Sequence, residues 1–323
     1  MQPILEVSNL SVGVQKKGNL VPILTDISFS VNNSSTLGIV GESGCGKSMT
    51  SLAIMRLLPY QVRITSGAVY LNGSNLIEYN EEELSKVRGS QISMIFQDPM
   101  TSLNPALTVG EQMVESLVVH KNISRSEAQE RAIELLNLVG IPAAKNRFNE
   151  YPHQLSGGMR QRVMIAIAIA CEPKVVIADE PTTALDVTIQ AQIINLLDHL
   201  RTEFGTSIIL ITHDVGLIAG FTEQVIVMYA GMVVEKAEVE ELFYNPQHPY
   251  TKGLLGSLPN PLRLGQELLS IPGIVPSPEH FPSGCRFHSR CKYAMENCAK
   301  IIPPWFQITP KHQVACWLLG KEL

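Results

Sequence analysis

The sequence predicts an α/β domain with a parallel core, followed by a small irregular C-terminal module. Three observations point there. Thr36-Leu-Gly-Ile-Val40 is an apolar run of strand length; it passes into a glycine-rich stretch, and residues 48–58 then take helical spacing. Strand, loop and helix in that order open a βα unit. Val175-Val-Ile-Ala178 and Ser207-Ile-Ile-Leu-Ile211 are further short apolar runs, suited to central parallel strands buried on both faces. After about residue 240 the texture changes, with six prolines between Pro259 and Pro282, so the chain there reads as extended and irregular. A chain of 323 residues has room for one large α/β domain plus such an appendage.

The other elements follow in chain order. Residues 4–12 and 23–31 alternate partially and read as strands, with Gln15-Lys-Lys-Gly-Asn19 as the turn between them. Residues 111–140 hold two helices. Ser124-Arg-Ser-Glu127 matches a capping box at the start of the second, whose Ala128, Ala132, Leu135, Leu136 and Val139 fall on one face. Val225-Ile-Val-Met228 and Met232-Val-Val234 flank Tyr-Ala-Gly and read as a hairpin. The formal charge of −5 gives no global basic field, so nucleic acid is not an expected partner. The opening Met1-Gln-Pro-Ile-Leu-Glu6 lacks the basic start and apolar run of a signal peptide. The longest apolar stretch, Val163 to Cys171, is far short of the roughly 20 residues that a membrane helix needs. The expected location is therefore cytoplasmic, with any membrane association made through another protein.

Gly41-Glu-Ser-Gly-Cys-Gly-Lys-Ser48 fits G-x-x-x-x-G-K-[ST] between a strand and a helix. Its glycines let backbone N–H groups turn inward around phosphate oxygens, and the following helix presents its positive end. The candidate ATP contacts are Gly41, Glu42, Ser43, Gly44, Cys45, Gly46, Lys47, Ser48 and Met49. Lys47 would reach the β- and γ-phosphates and Ser48 would bind Mg²⁺. Cys45 fills a variable loop position, where a thiol would be open to oxidation. Val175 to Ala178 run into Asp179-Glu180, an apolar strand ending in two acids, and strand ends are where α/β sheets bind ligands. Neighbouring residues on a strand point to opposite faces, so the acids can take different roles. Asp179 would hold Mg²⁺ through water, and Glu180 would polarise the attacking water as general base.

Leu155-Ser-Gly-Gly-Met-Arg-Gln-Arg162 resembles the signature of ABC-transporter ATPases. Ser156 would cap the helix that follows, while Gly157 and Gly158 allow close backbone approach. The resemblance implies that this helix start serves the γ-phosphate held on an opposite subunit. It implies further that Gln97, in Ile95-Phe-Gln-Asp-Pro99, contacts Mg²⁺ and the attacking water and senses the transmembrane partner. Asp186, in Thr183-Ala-Leu-Asp186, would stand at the subunit junction, and His213, in Ile211-Thr-His-Asp214, would be the switch histidine. One position departs from the family pattern: Val14 stands where an aromatic residue usually stacks on adenine, so base stacking would be lost. The implied fold is a P-loop ABC ATPase with a RecA-like core, an antiparallel β subdomain and an α-helical subdomain at about 98–165. Residues 1–240 would form the nucleotide-binding domain and 241–323 a small metal-bound C-terminal extension.

Within that family, Met94-Ile-Phe-Gln-Asp-Pro-Met-Thr-Ser-Leu-Asn-Pro105, Met228-Tyr-Ala-Gly231 and Gln247-His-Pro-Tyr-Thr-Lys-Gly253 resemble the ATPases of dipeptide and oligopeptide importers. Nickel importers belong to the same group and remain an alternative; a soluble, non-transport ABC ATPase is a remoter one. The implied partners are a second ATPase subunit, as a paralogue packed head to tail, two transmembrane permeases and, indirectly, an external solute-binding protein. The implied location is the cytoplasmic face of the cell membrane. Cys285, Cys291, Cys298 and Cys316 crowd the last 39 residues with spacing C-x5-C-x6-C-x17-C. That spacing is neither a zinc knuckle nor a bacterial ferredoxin pattern. The resemblance implies a [4Fe–4S] ligand set, with zinc, assisted by His288 or His312, and free thiols or disulfides as alternatives.

Overall fold

The computed structural model describes residues 2–16, 18–183, 186–258 and 271–322. In chain order the first elements are β1 (Leu5–Lys16), β2 (Asn19–Val31), β3 (Thr36–Val40), α1 (Lys47–Ile54), β4 (Val62–Leu71), β5 (Ser74–Asn75), α2 (Glu81–Val87) and β6 (Ile92–Ile95). A helical stretch follows: α3 (Pro99–Ser102), α4 (Val109–Lys121), α5 (Arg125–Leu138), α6 (Ala144–Arg147) and α7 (Gly157–Ile169). Then come β7 (Val175–Asp179), α8 (Val187–Phe204), β8 (Ser207–Thr212), α9 (Val215–Phe221), β9 (Gln224–Tyr229) and β10 (Met232–Glu238). The tail carries α10 (Val239–Tyr244), α11 (Pro249–Gly256), α12 (Glu296–Lys300), β11 (Trp305–Thr309) and β12 (His312–Ala315).

The chain divides into two compact units, the first comprising Met1–Leu5, Val31–Ser35 and Asn75–Leu210, the second Glu6–Ser30, Thr36–Ser74 and Ile211–Leu323. In the first unit β6 and β7 pair in parallel, from Ile92 opposite Val175 to Ile95 opposite Ala178. Both strands are buried throughout, which explains their unbroken apolar runs. The two helices expected over 111–140 are α4 and α5, separated where Asn122 turns left-handed (φ 52°). Each begins with a capping box, at Thr108 and at Ser124, which satisfies two orphan N–H groups at the helix start. Ala128, Ala132, Leu135, Leu136 and Val139 are all fully buried, so the apolar stripe of α5 is the face it packs.

In the second unit the strand order of one sheet is β2-β1-β4-β5, and that of the other includes β11-β12-β10-β9-β3. Strands β3 and β9 run parallel, and β9 and β10 form the expected hairpin. Its turn puts Ala230 (φ 45°) and Gly231 (φ 76°) left-handed, as a two-residue turn matched to strand twist requires. Helix α1 is shorter than the helical spacing of 48–58 predicts: Arg56 turns left-handed (φ 53°) ahead of Pro59. The tail also departs from an irregular reading. Strand β12 pairs with β10, Glu235 opposite Val314, and β11 pairs with β12, Phe306 opposite Val314. The prolines at 259 and 261 lie outside the described residues. Strand β8 contributes residues to both units.

Candidate active site

In the second unit the phosphate loop leaves β3 and enters α1. Gly41, Gly44 and Gly46 all have positive φ, and a Cβ at Gly41 would meet Met228 O at 2.3 Å and Cys45 Sγ at 2.7 Å. Only glycine fits there. Gly46 gives α1 no side-chain cap, which suits a helix start that receives phosphate. Lys47 is 5% exposed, and its ammonium donates to Gly41 O (2.7 Å) and Glu42 O (3.2 Å), so it lies along the loop it would serve. Glu42 N–H donates to Tyr250 Oη (2.8 Å), and the Glu42 carboxylate pairs with Arg290 (2.9 Å). Neither partner was legible in the sequence, since both lie more than 200 positions downstream. Cys45 is fully buried, which shields it from oxidants, and burial raises its thiol pKa against the pull of Lys47, which disfavours the thiolate. The expectation of an oxidation-prone thiol is thereby corrected. His213 is exposed directly after β8, ahead of Asp214, which caps α9 by accepting from Gly216 N–H (2.8 Å). Val14 lies half-buried on β1.

The first unit brings Gln97 and Glu180 together. Gln97 Nε2 donates to Glu180 Oε2 at 2.9 Å, and Thr183 Oγ1 donates to the same oxygen at 2.9 Å. Thr183 is a partner that sequence reasoning missed. Asp179 is 3% exposed at the end of β7, whereas Glu180 has left the strand with φ 47°. The separation of the two acids thus comes from a left-handed turn, not from strand alternation. A residue with a Cβ adopts that turn at a cost, and such costs concentrate at functional positions. In the signature segment Ser156 Oγ accepts from Met159 N–H (3.3 Å) and caps α7. Among the described residues nothing lies within 4 Å of a Cβ placed on Gly157, and Gly158 would meet only Ile189 Cγ2 at 3.7 Å. These glycines are therefore not demanded by packing inside the unit; they leave an open helix start on the surface. Asp186 Oδ1 caps α8 by accepting from Ile189 N–H (2.9 Å).

The tail cysteines are all free thiols, Cys298 and Cys316 buried, Cys285 and Cys291 half-buried. Burial pushes Cys285 up to about 12 and Cys316 up to about 11, and the neighbouring thiols add to both shifts. Backbone N–H groups of Phe287, Tyr293 and Leu318 donate to Cys285, Cys291 and Cys316, and Met295 N–H donates to Cys298 Sγ (3.4 Å). Among the described residues, however, no group of three or more His, Cys, Asp or Glu side chains is gathered as ligands of a metal ion. The expected metal-bound extension is therefore not shown; what is present is a set of four neighbouring thiols. His312 is not part of it. Its Nε2 lies 2.8 Å from Glu235 Oε1 and its Nδ1 3.3 Å from Glu241 Oε1. His288 Nδ1 lies 2.8 Å from Cys285 O.

Among the described residues no helix is long and apolar enough to cross a membrane. Residues 24–183 match the ABC transporter model, and 234–298 match the C-terminal region of oligopeptide/dipeptide transporters. The oligopeptide transport ATP-binding protein AppD of Bacillus subtilis (strain 168) is 49% identical over 323 residues, covering 100% of this chain and 98% of the relative. The oligopeptide transport ATP-binding protein OppD of Escherichia coli (strain K12) is 49% identical over 320 residues, covering 99% and 94%. Among solved structures, the ATP-binding cassette MJ0796, a dimer in a post-hydrolysis state bound to ADP and Pi, aligns with a TM-score of 0.66 at 30% identity. That alignment covers 73% of this chain and 98% of MJ0796. The chain belongs to the ABC transporter family, among the ATP-binding proteins of oligopeptide and dipeptide transport.

Proposed function

We propose that this chain is the ATP-hydrolysing subunit of a peptide importer. The observation that carries the reading is the 2.9 Å hydrogen bond from Gln97 to Glu180. It sets an amide donor on the carboxylate read as the general base, and Thr183 donates to the same oxygen. ATP binds along Gly41–Met49, with Lys47 turning from the loop carbonyls to the β- and γ-phosphates and Val14 packing on the base. By the family resemblance Ser48, Gln97 and, through water, Asp179 would hold Mg²⁺; their hydroxyl, amide and carboxylate oxygens are the donor types that ion takes. When bound, that ion neutralises charge on the phosphates. Glu180 takes the proton of the attacking water, and His213 meets the γ-phosphate at the end of β8. Ser156, Gly157 and Gly158 offer their open helix start to the ATP of a second subunit, with Asp186 at the junction.

One motif set per chain makes the second ATPase subunit necessary, and a paralogue packed head to tail fits best. Two permeases carry the solute and the chain sits on the cytoplasmic face, reached indirectly by an external binding protein. Residues 1–240 form the nucleotide-binding domain, with a helical subdomain at about 98–165, and 241–323 the extension. Backbone N–H groups face the tail thiols, but burial outweighs them and raises Cys285, Cys291 and Cys316, so without a bound group these side chains stay neutral thiols. A single zinc ion takes its sulfurs at about 2.3 Å around one point, and among the described residues no group is gathered to hold a metal ion in that way. A [4Fe–4S] cluster is wider and takes four cysteines; Cys285, Cys291, Cys298 and Cys316 are the residues that would hold it, as a staple for the tail.

The test uses the reconstituted transporter. Glu180→Gln is expected to lower steady-state ATP hydrolysis by about 10²–10⁴-fold while ATP stays bound. Uptake of labelled dipeptides and oligopeptides should fall with it. Sustained hydrolysis in the variant would remove Glu180 from its role, and uptake of nickel in place of peptide would move the chain to the related branch. Iron and sulfide analysis after anaerobic purification checks the tail: a colourless, zinc-loaded protein rules the cluster out.

A further inference from the structure

The cysteine-bearing tail reaches the phosphate loop through one side chain. Arg290 Nη1 donates to both carboxylate oxygens of Glu42, at 3.1 and 2.9 Å. This is not a loose surface pair, for the Arg290 side chain is 6% exposed. Its guanidinium is also braced by Ile271 O (3.1 Å), Pro272 O (2.9 Å) and Gly273 O (3.2 Å), and it approaches Tyr229 Oη (3.4 Å). A planar fork with that many acceptors is fixed before it meets the carboxylate.

Glu42 is held at three points. Its N–H goes to Tyr250, its carboxylate to Arg290, and its carbonyl accepts both Cys45 N–H (3.2 Å) and the Lys47 ammonium (3.2 Å). The same stretch between Cys285 and Cys291 supplies more of the clamp. Phe287 packs against Tyr229 with ring centroids 5.1 Å apart and against Tyr250 at 5.4 Å. Arg286 donates to Ala230 O, in the turn beside the loop, and to Thr25 Oγ1 (2.7 Å).

We propose that Arg290 is a positioning residue for nucleotide binding: it holds and neutralises Glu42, so that the phosphate loop keeps its shape and presents no bare carboxylate to a polyanion. This rests on the reading of Gly41–Ser48 as the ATP site. The physical reason is charge. Glu42 carries its carboxylate within the phosphate loop, on the residue whose backbone carbonyl accepts from Lys47, and a carboxylate so placed repels every phosphate that enters unless a cation is locked onto it. A glycine-rich loop has little stiffness of its own to resist the shift that follows.

The experiment measures equilibrium binding of fluorescent ribose-labelled ATP, ADP and AMP to the full chain with Mg²⁺. Arg290→Gln should weaken ATP binding on the order of five- to tenfold, ADP less, and AMP least, because the loss scales with ligand charge. Adding Glu42→Gln to Arg290→Gln should recover most of that loss by removing the exposed carboxylate. Arg290→Lys, which keeps the charge without the fork, should fall between wild type and Arg290→Gln. Equal losses for all three nucleotides, or no recovery in the double variant, overturn the proposal and leave Arg290 a structural brace of the tail. Fluorescence of Trp305 and Trp317 reports whether each variant keeps its tail folded. The Lys47→Ala control separates the premises: if it binds ATP as wild type does, the reading of the loop as the ATP site fails instead.

Discussion

At the residue scale the site depends on a few positions where the backbone leaves no freedom. Gly41 is the sharpest, because its added Cβ would sit 2.3 Å from Met228 O, a backbone atom that cannot swing aside. Gly41→Ala is expected to cost about 2–4 kcal/mol of stability in denaturant unfolding and to abolish ATP binding. An alanine variant that binds ATP normally would show that the loop tolerates the displacement. Val14 is a second position with a defined direction of change. Val14→Tyr should tighten ATP binding by about 0.5–1.5 kcal/mol through base stacking. No gain in a titration would show that the base is held elsewhere. The catalytic candidates differ in how they could be found. Gln97 and Glu180 were legible from motif and resemblance, whereas Thr183 on the same Glu180 oxygen was not, since a threonine three residues on carries no distinctive pattern.

At the element scale, local signals and tertiary context disagree in instructive places. The capping box at Ser124 and the apolar stripe of α5 were readable because both are encoded within a few turns of one helix. The hairpin of β9 and β10 was readable for the same reason, yet its turn carries a cost. Ala230 sits left-handed at φ 45°, where its Cβ is crowded. Ala230→Gly should relieve this and raise the thermal midpoint, corresponding to about 0.5–1 kcal/mol. A lowered midpoint would mean that the methyl group packs more favourably than the turn is strained. Strands β11 and β12 escaped sequence reading. Their alternation is disguised by His312, a polar residue at a fully buried position that only its carboxylate partners make tolerable.

At the scale of the whole molecule those partners tie the tail strands to β10 and give the docking a pH dependence. Burial alone would push His312 down, but hydrogen bonds and charge from Glu235 and Glu241 hold its pKa above the usual value. Burial alone would raise Glu235; hydrogen bonds from His312 and from the N–H groups of Gln247 and His248 hold it low. His248, pushed down to about 4 by burial against the pull of Glu235, stays neutral and accepts from Tyr250 N–H through Nδ1. The His312 contribution is therefore full below its unfolded pKa of about 6.5 and is lost as pH rises through the raised folded value. The Glu235 contribution is present above its unfolded value of about 4.3 and is lost as pH falls through the lowered one. Denaturant midpoints followed by Trp305 and Trp317 fluorescence should peak between those limits and decline on the alkaline side. His312→Gln should remove the alkaline decline, and a decline that persists would assign it to another group. By itself the sequence determined the family, through a glycine-rich loop, an acid pair and a signature-like segment, because each is a short run whose pattern depends on its own spacing. Only the tertiary structure decided that Glu180 leaves its strand to meet Gln97, that Glu42 is clamped by Arg290 and Tyr250, and that the tail adds strands to β10. Those facts join residues far apart in the chain, and packing brings them together where no local pattern records the pairing.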